Sequence, residues 1–193
     1  MRKINWFGLA AGILTLIMLA VSLYLPWWRL TVGADLFRVD TSPVATNFGL
    51  MGEQFTIPLI WALNLSSILM FTAAGIVMLI YSVIPTKSYS VHLLGFSYKK
   101  PLYALIFFVV GLVAITAIAG YFGINIPLMG SATLPSQLTF GVGINTLFAG
   151  EFLLPFWIGV SAAILCIAAR LYHMRIPQEL YTAPENPQEP QTA

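Results

Sequence analysis

No charged residue stands between Lys3 and Arg29, a run of 25 positions. A helix rises about 1.5 Å per residue, so this stretch can cross a hydrocarbon core of about 30 Å with some tilt. Arg2 and Lys3 precede it, and the positive-inside rule then holds the N-terminus in the cytoplasm. Trp6 lies at one end, and Tyr24, Trp27 and Trp28 at the other, where amphipathic rings favour the headgroup region. Pro26 lacks the amide needed to continue a helix, so the first span is predicted over 4–28. The alternative is a secretory signal with Ala20-Val21-Ser22 as its cleavage-like site. It is disfavoured because the apolar run outlasts the roughly 7–15 residues of a signal core.

The pattern recurs. No charge falls between Glu53 and Lys87, or from Pro101 to Gly150, or between Glu151 and Arg170. Further spans are predicted over 58–82, 101–121 and 152–171. Pro58 suits the first turn of a helix, where its missing amide is not needed. Segments 29–57 and 122–151 are predicted as outer loops. The first holds β-like pieces at 29–32, 36–39 and 54–57, and is too rich in aromatic and β-branched residues for disorder. The second is broken by Pro127, Gly130, Pro135, Gly141 and Gly143, which argues against another continuous span and for a loop that packs on the first or dips into the bilayer surface. Within 83–100, Tyr89, Val91 and Leu93 alternate with Ser88, Ser90 and His92 before Gly95, which predicts a short cytoplasmic hairpin. The tail, 176–193, carries Pro177, Pro184, Pro187 and Pro190 among Glu and Gln, and is predicted to be disordered. Seven of the nine Lys and Arg fall on the predicted inner side; only Arg29 and Arg38 fall outside. The expected fold is therefore an all-α membrane protein: a single four-transmembrane-helix bundle over 1–175 with small β-rich extracytoplasmic loops. Both termini are placed in the cytoplasm and the chain in the plasma membrane.

Composition narrows the function classes. The chain is 59% hydrophobic and 8% charged, whereas soluble domains carry roughly a quarter charged residues. The net charge of +2 is too small and too scattered for nucleic-acid binding. The lone cysteine, Cys166, excludes an internal disulfide and a cysteine-based metal cluster. Apart from Arg170 at the inner end of the fourth, the predicted spans lack Asp, Glu, Lys, Arg and His, the residues that mark ion paths and proton relays inside membranes. No nucleophile–base pattern and no His-x-x-His spacing is present. His92 and His173 read as interface residues rather than haem ligands, and Asp35, Asp40, Glu53 and Glu151 as loop charges paired with Arg29 and Arg38 rather than a cation site. No catalytic residue, cofactor or metal is expected.

Two patterns remain. Each span holds a small-x-x-x-small pair: Gly8/Gly12, Ala62/Ser66, Thr116/Gly120 and Gly159/Ala163. Such pairs let helix backbones approach closely, and packing within the molecule is favoured over a dimer face. Thr139, Gly141 and Gly143 form the T-x-G-x-G pattern of a potassium-channel filter, whose carbonyls replace a hydration shell. Such a filter needs a pore helix before it, and Pro127, Gly130 and Pro135 break that stretch.

With inside termini, a long first outer loop bearing strands, and Trp27 and Trp28 where the first span meets it, the chain resembles the claudin-like tetraspan group. The cysteine-bearing loop motif of that group is absent, since Cys166 lies in the fourth span, and the second outer loop is long. The resemblance implies a helical bundle supporting a β-rich outer head that contacts neighbours. The leading expectation is a non-catalytic structural or accessory subunit of a larger membrane or envelope complex. Its partners would be membrane lipid and other membrane subunits, with a homo-oligomer left open, and Trp27, Trp28, Phe37, Phe48 and Phe140 are the candidate contacts. Their alternative roles are packing in the head or anchoring at the interface. The second expectation is an oligomeric ion channel or permeation subunit using Thr139–Gly143.

Overall fold

The computed structural model of the chain describes residues 4–33, 36–87, 89–133 and 147–175. Among them are four helices and six strands: α1 (Trp6–Ser22), β1 (Trp28–Val32), β2 (Phe37–Thr41), β3 (Thr46–Leu50), β4 (Glu53–Phe55), α2 (Pro58–Val83), α3 (Ser90–Tyr121), β5 (Gly130–Thr133), β6 (Leu147–Phe152) and α4 (Leu154–Arg175). The strands form one antiparallel sheet in the order β4-β3-β2-β1-β6-β5. This overturns the all-α expectation. The molecule is mixed α and β, and its strands are not small decorations of a helical bundle. Both predicted loops contribute to one continuous sheet, because β6 of the second pairs with β1 of the first, Trp28 opposite Phe152 and Val32 opposite Phe148.

The first helix is shorter than predicted. The hydroxyl of Ser22 donates to the carbonyl of Met18 at 2.6 Å and accepts the indole N–H of Trp27 at 2.8 Å. The chain turns there, Pro26 prevents continuation, and the Trp27 amide joins the carbonyl of Thr41. Trp28 is already in β1. The 17 residues of α1 fall short of the roughly 20 needed to cross a bilayer unaided. Three helices, α2, α3 and α4, are long and apolar enough to cross a membrane.

The hairpin expected within 83–100 is instead the start of α3, which runs through Pro101 for 32 residues. Its buried positions, Ser90, Leu94, Ser97 and Pro101, recur at helical spacing. Ser97 donates to the carbonyl of Leu93 one turn earlier, at 2.9 Å. The polar–apolar alternation that predicted strands therefore lost to a stripe of small side chains facing α2. The filter pattern and Phe140 lie outside the described residues, as does the tail.

α1 packs against both α2 and α4, and α3 packs against the same two helices from the other side. Small residues set the spacing. A Cβ at Gly12 would lie 2.8 Å from the Leu79 side chain, and one at Gly75 would lie 2.6 Å from that of Leu16. Between apolar helices in lipid, such close backbone approach is the main source of association. The Gly8/Gly12 pair thus faces α2 within the chain. Gly159 is shaped the same way: its Cβ would meet the Trp27 ring at 3.2 Å and the sulfur of Met18 at 3.3 Å.

Candidate functional site

Strand alternation gives the sheet two unlike faces. Trp28 and Leu30 are buried with Phe148 and with Leu112 of α3, and Val32, Val39, Ile124, Ile126 and Leu128 pack around them. The Trp28 indole N–H reaches the carbonyl of Leu128 at 2.8 Å. This apolar face seats the sheet on the helices. The register places Arg29 between Asp40 and Glu151, and Asp40 opposite Asn47, so the other face is polar.

An ion cluster organises that polar face. Arg29 donates through Nε to Asp40 Oδ1 at 2.8 Å, and its Nη1 lies 3.8 Å from Glu151. Arg38, two residues before Asp40 on the same strand face, donates through Nε to Oδ2 at 2.9 Å and through Nη2 to the same oxygen at 2.8 Å. Both Asp40 oxygens are engaged, and its side chain is only 14% exposed. Beside this cluster, the exit of α1 and strands β1 to β4 enclose a pocket of about 170 Å³. A broader depression near the other edge is bordered by Thr31, Ser131, Ala149 and Glu151.

The expected contact residues do not gather. Trp27 is fully buried, with the rings of Phe108 and Phe156 edge-on at 5.1 and 6.1 Å. Trp28 is buried under the sheet. Phe37 and Phe48 are half-buried, facing each other's strands on the apolar side. Phe48 stacks on Phe55 at 5.6 Å, and Phe55, Leu50 and Met51 beyond it are exposed. At this end of the sheet apolar side chains are left uncovered.

One feature escaped the sequence reading, and one residue it placed at the interface is buried. Asn5, completely buried, accepts the Gly8 amide at 3.0 Å and donates to the Tyr81 hydroxyl at 2.8 Å and the Ala169 carbonyl at 3.1 Å. His173 is buried against the edge of Tyr81, and neither ring nitrogen has a hydrogen-bond partner among the described residues. An asparagine just before an apolar run is the N-cap signal that could have exposed the first; nothing local marks the second. Among the described residues, no three His, Cys, Asp or Glu side chains gather as a metal site. Neither a protein-family model nor a curated protein matches the chain.

Proposed function

We propose that the protein is a multi-pass membrane protein that serves as a non-catalytic structural or accessory subunit of a larger membrane assembly. α2, α3 and α4 cross the bilayer, and α1, clamped between α2 and α4, enters with them. The Lys and Arg away from the sheet, with Lys87 before α3, Lys99 and Lys100 in its first half, and Arg170 and Arg175 at the end of α4, support inside termini and an outward-facing sheet. The claudin-like likeness implies the same division between helices and a contact-making head.

One observation carries the reading. Of the residues in its most apolar stretch, 6% are buried in α3, against 39% in α4 and 28% in α2. A Cβ at Gly111 or Gly120 would meet nothing within 4 Å, and Thr116 lies one turn before Gly120 on the same helix. An uncovered helix carrying small residues suits close approach by a helix of another subunit. The exposed apolar patch at Leu50, Met51 and Phe55 is a second surface of the same kind.

The test is the mass and composition of the particle purified from its native membrane in mild detergent. Other polypeptides at a fixed ratio are expected. A bare monomer, with no other polypeptide at a fixed ratio, would refute the subunit reading.

A further inference from the structure

We infer that the junction of α1, α2 and α4, at the end remote from the sheet, is a pH-sensitive clasp. It is closed while His173 is neutral and opens when that ring takes a proton. Three observations carry this: both ring nitrogens are occluded, nothing nearby can receive an imidazolium charge, and one carbonyl ties the turn of His173 to Asn5.

His173 is 7% exposed on the last turn of α4. It lies about one turn beyond Arg170, which closes the charge-free run of that helix, and so stands outside the membrane-spanning stretch. Its ring meets the edge of Tyr81 at 5.5 Å, and neither Nδ1 nor Nε2 has a hydrogen-bond partner among the described residues. A neutral imidazole has one N–H and one acceptor nitrogen, whereas imidazolium has two donors and a charge. Burying that charge with no acceptor costs more than burying the neutral ring.

The surroundings offer the charge no compensation. None of the four helices carries Asp or Glu. α1 has no titratable side chain, and Tyr81 is the only one of α2. On α3, Tyr98 is covered by the Arg170 guanidinium at 4.6 Å, Lys100 lies over Phe96, and His92 and Lys99 are exposed. On α4, Arg170, Tyr172 and Arg175 are exposed, and Cys166 lies two turns back. Tyrosine and cysteine are uncharged at and below neutral pH, so the charged neighbours on α3 and α4 are all cations. The end of a helix ordinarily favours a cation. Here neither nitrogen reaches a terminal carbonyl, and burial holds the ring below the ordinary histidine range.

Turning the charged ring out to water relieves this cost and disturbs the clasp. In a helix the amide of residue 173 bonds the carbonyl of residue 169. The Ala169 carbonyl also accepts the Asn5 amide at 3.1 Å. Asn5 donates to the Tyr81 hydroxyl at 2.8 Å and caps α1 through the Gly8 amide at 3.0 Å. Displacing the last turn of α4 therefore withdraws a bond from Asn5 and uncovers Tyr81, which frees the start of α1. A ring that the fold keeps neutral, and the unfolded chain protonates freely, contributes stability that is full above about pH 6.5 and is lost as the pH falls below it.

The chain has two histidines, so each can be followed separately. The full chain, carrying isotope-labelled histidine in mild detergent, is titrated by NMR, with His92→Gln assigning the two signals. The His173 ring is expected to keep its neutral signature at pH 6, where a free histidine is about three-quarters protonated. Hydrogen exchange at the Gly8 amide then reads the clasp. Between pH 7.5 and pH 5 the parent should lose about tenfold more protection there than His173→Phe, the factor that one unit of displaced titration supplies. His92→Gln should behave as the parent. If His173→Phe does not fold, His173→Leu takes its place. A His173 ring that charges together with a free histidine peptide overturns the proposal, and so does an equal loss of Gly8 protection in the parent and the His173 variant. Both readouts use the purified chain, so failure of the subunit reading would leave them unaffected.

Discussion

At the end of the helices remote from the sheet, one amide side chain ties three of them together. Asn5 caps α1, bonds Tyr81 of α2, and reaches the Ala169 carbonyl of α4; its backbone amide meets the carbonyl of Ser82 at 3.0 Å. Loss of an N-cap costs about 1 kcal/mol, and leaving buried partners unsatisfied adds about 1–3 kcal/mol. Asn5→Ala is therefore expected to lower stability by roughly 2–3 kcal/mol, measured by thermal unfolding of the purified protein in detergent. Asn5→Asp keeps the cap acceptor but loses the amide donor, so it should recover only part of that loss. His173 predicts the opposite sign. Its two ring nitrogens are buried without partners among the described residues, while its ring packs edge-on to Tyr81 at 5.5 Å. His173→Phe keeps the ring and removes the unsatisfied atoms. Relieving that cost should raise stability by about 1 kcal/mol, a few degrees in Tm for a chain of this size. A fall in Tm would show that the imidazole is doing something polar at this site.

Helices α2 and α4 were legible because a charge-free run bounded by basic residues or proline leaves few alternatives in lipid. Their ends agree with the expected ones within a few residues, 58–82 against Pro58–Val83 and 152–171 against Leu154–Arg175. The sheet was half legible. Strands were visible near 29–32 and 36–39, but β3 was not, because Asn and Gly are residue types that favour turns, whereas Asn47 and Gly49 stand opposite Asp40 and Arg38 in the ladder. Pairing of β6 with β1 joins residues more than a hundred positions apart, and no local pattern encodes that. Nor could sequence tell that Arg29, Arg38 and Asp40 share one face, since this depends on register. The period-two pattern before Pro101 misled because Ser, His and Gly can satisfy a helix stripe as well as a strand. Packing between elements also gives a prediction. Gly12 and Gly75 bring α1 and α2 into close approach, so Gly12→Val or Gly75→Val should separate them. A loss of about 1–3 kcal/mol is expected from such overpacking, read from the same unfolding measurement. Gly111→Ala should instead be neutral or stabilising by up to about 1 kcal/mol, because nothing stands within 4 Å of the added carbon and alanine favours helix.

On the scale of the whole molecule, the contrast between these glycines becomes a test of what surrounds the protein. α1 is held between two helices, whereas most residues in the apolar stretch of α3 are not buried. Lipid alone could cover it, since hydrocarbon is as apolar as the side chains it would touch. In that case bulk added at Gly111 and Gly120 would be accommodated by acyl chains at no cost. A partner helix packed closely against either position would be displaced by it; at about 100° per residue the two lie on opposite sides of α3, so changing both tests both sides. The double variant Gly111→Ile, Gly120→Ile is therefore expected to fold with a Tm close to that of the parent, since β-branched residues cost a helix only about 0.5 kcal/mol relative to alanine. It is also expected to lose the polypeptides that accompany the parent through purification in mild detergent, and the same loss should not follow from Asn5→Asp, whose change is internal. If the double variant keeps its full complement of subunits at the parental ratio, α3 faces lipid, and the exposed apolar sheet edge at Leu50, Met51 and Phe55 becomes the next surface to test for assembly.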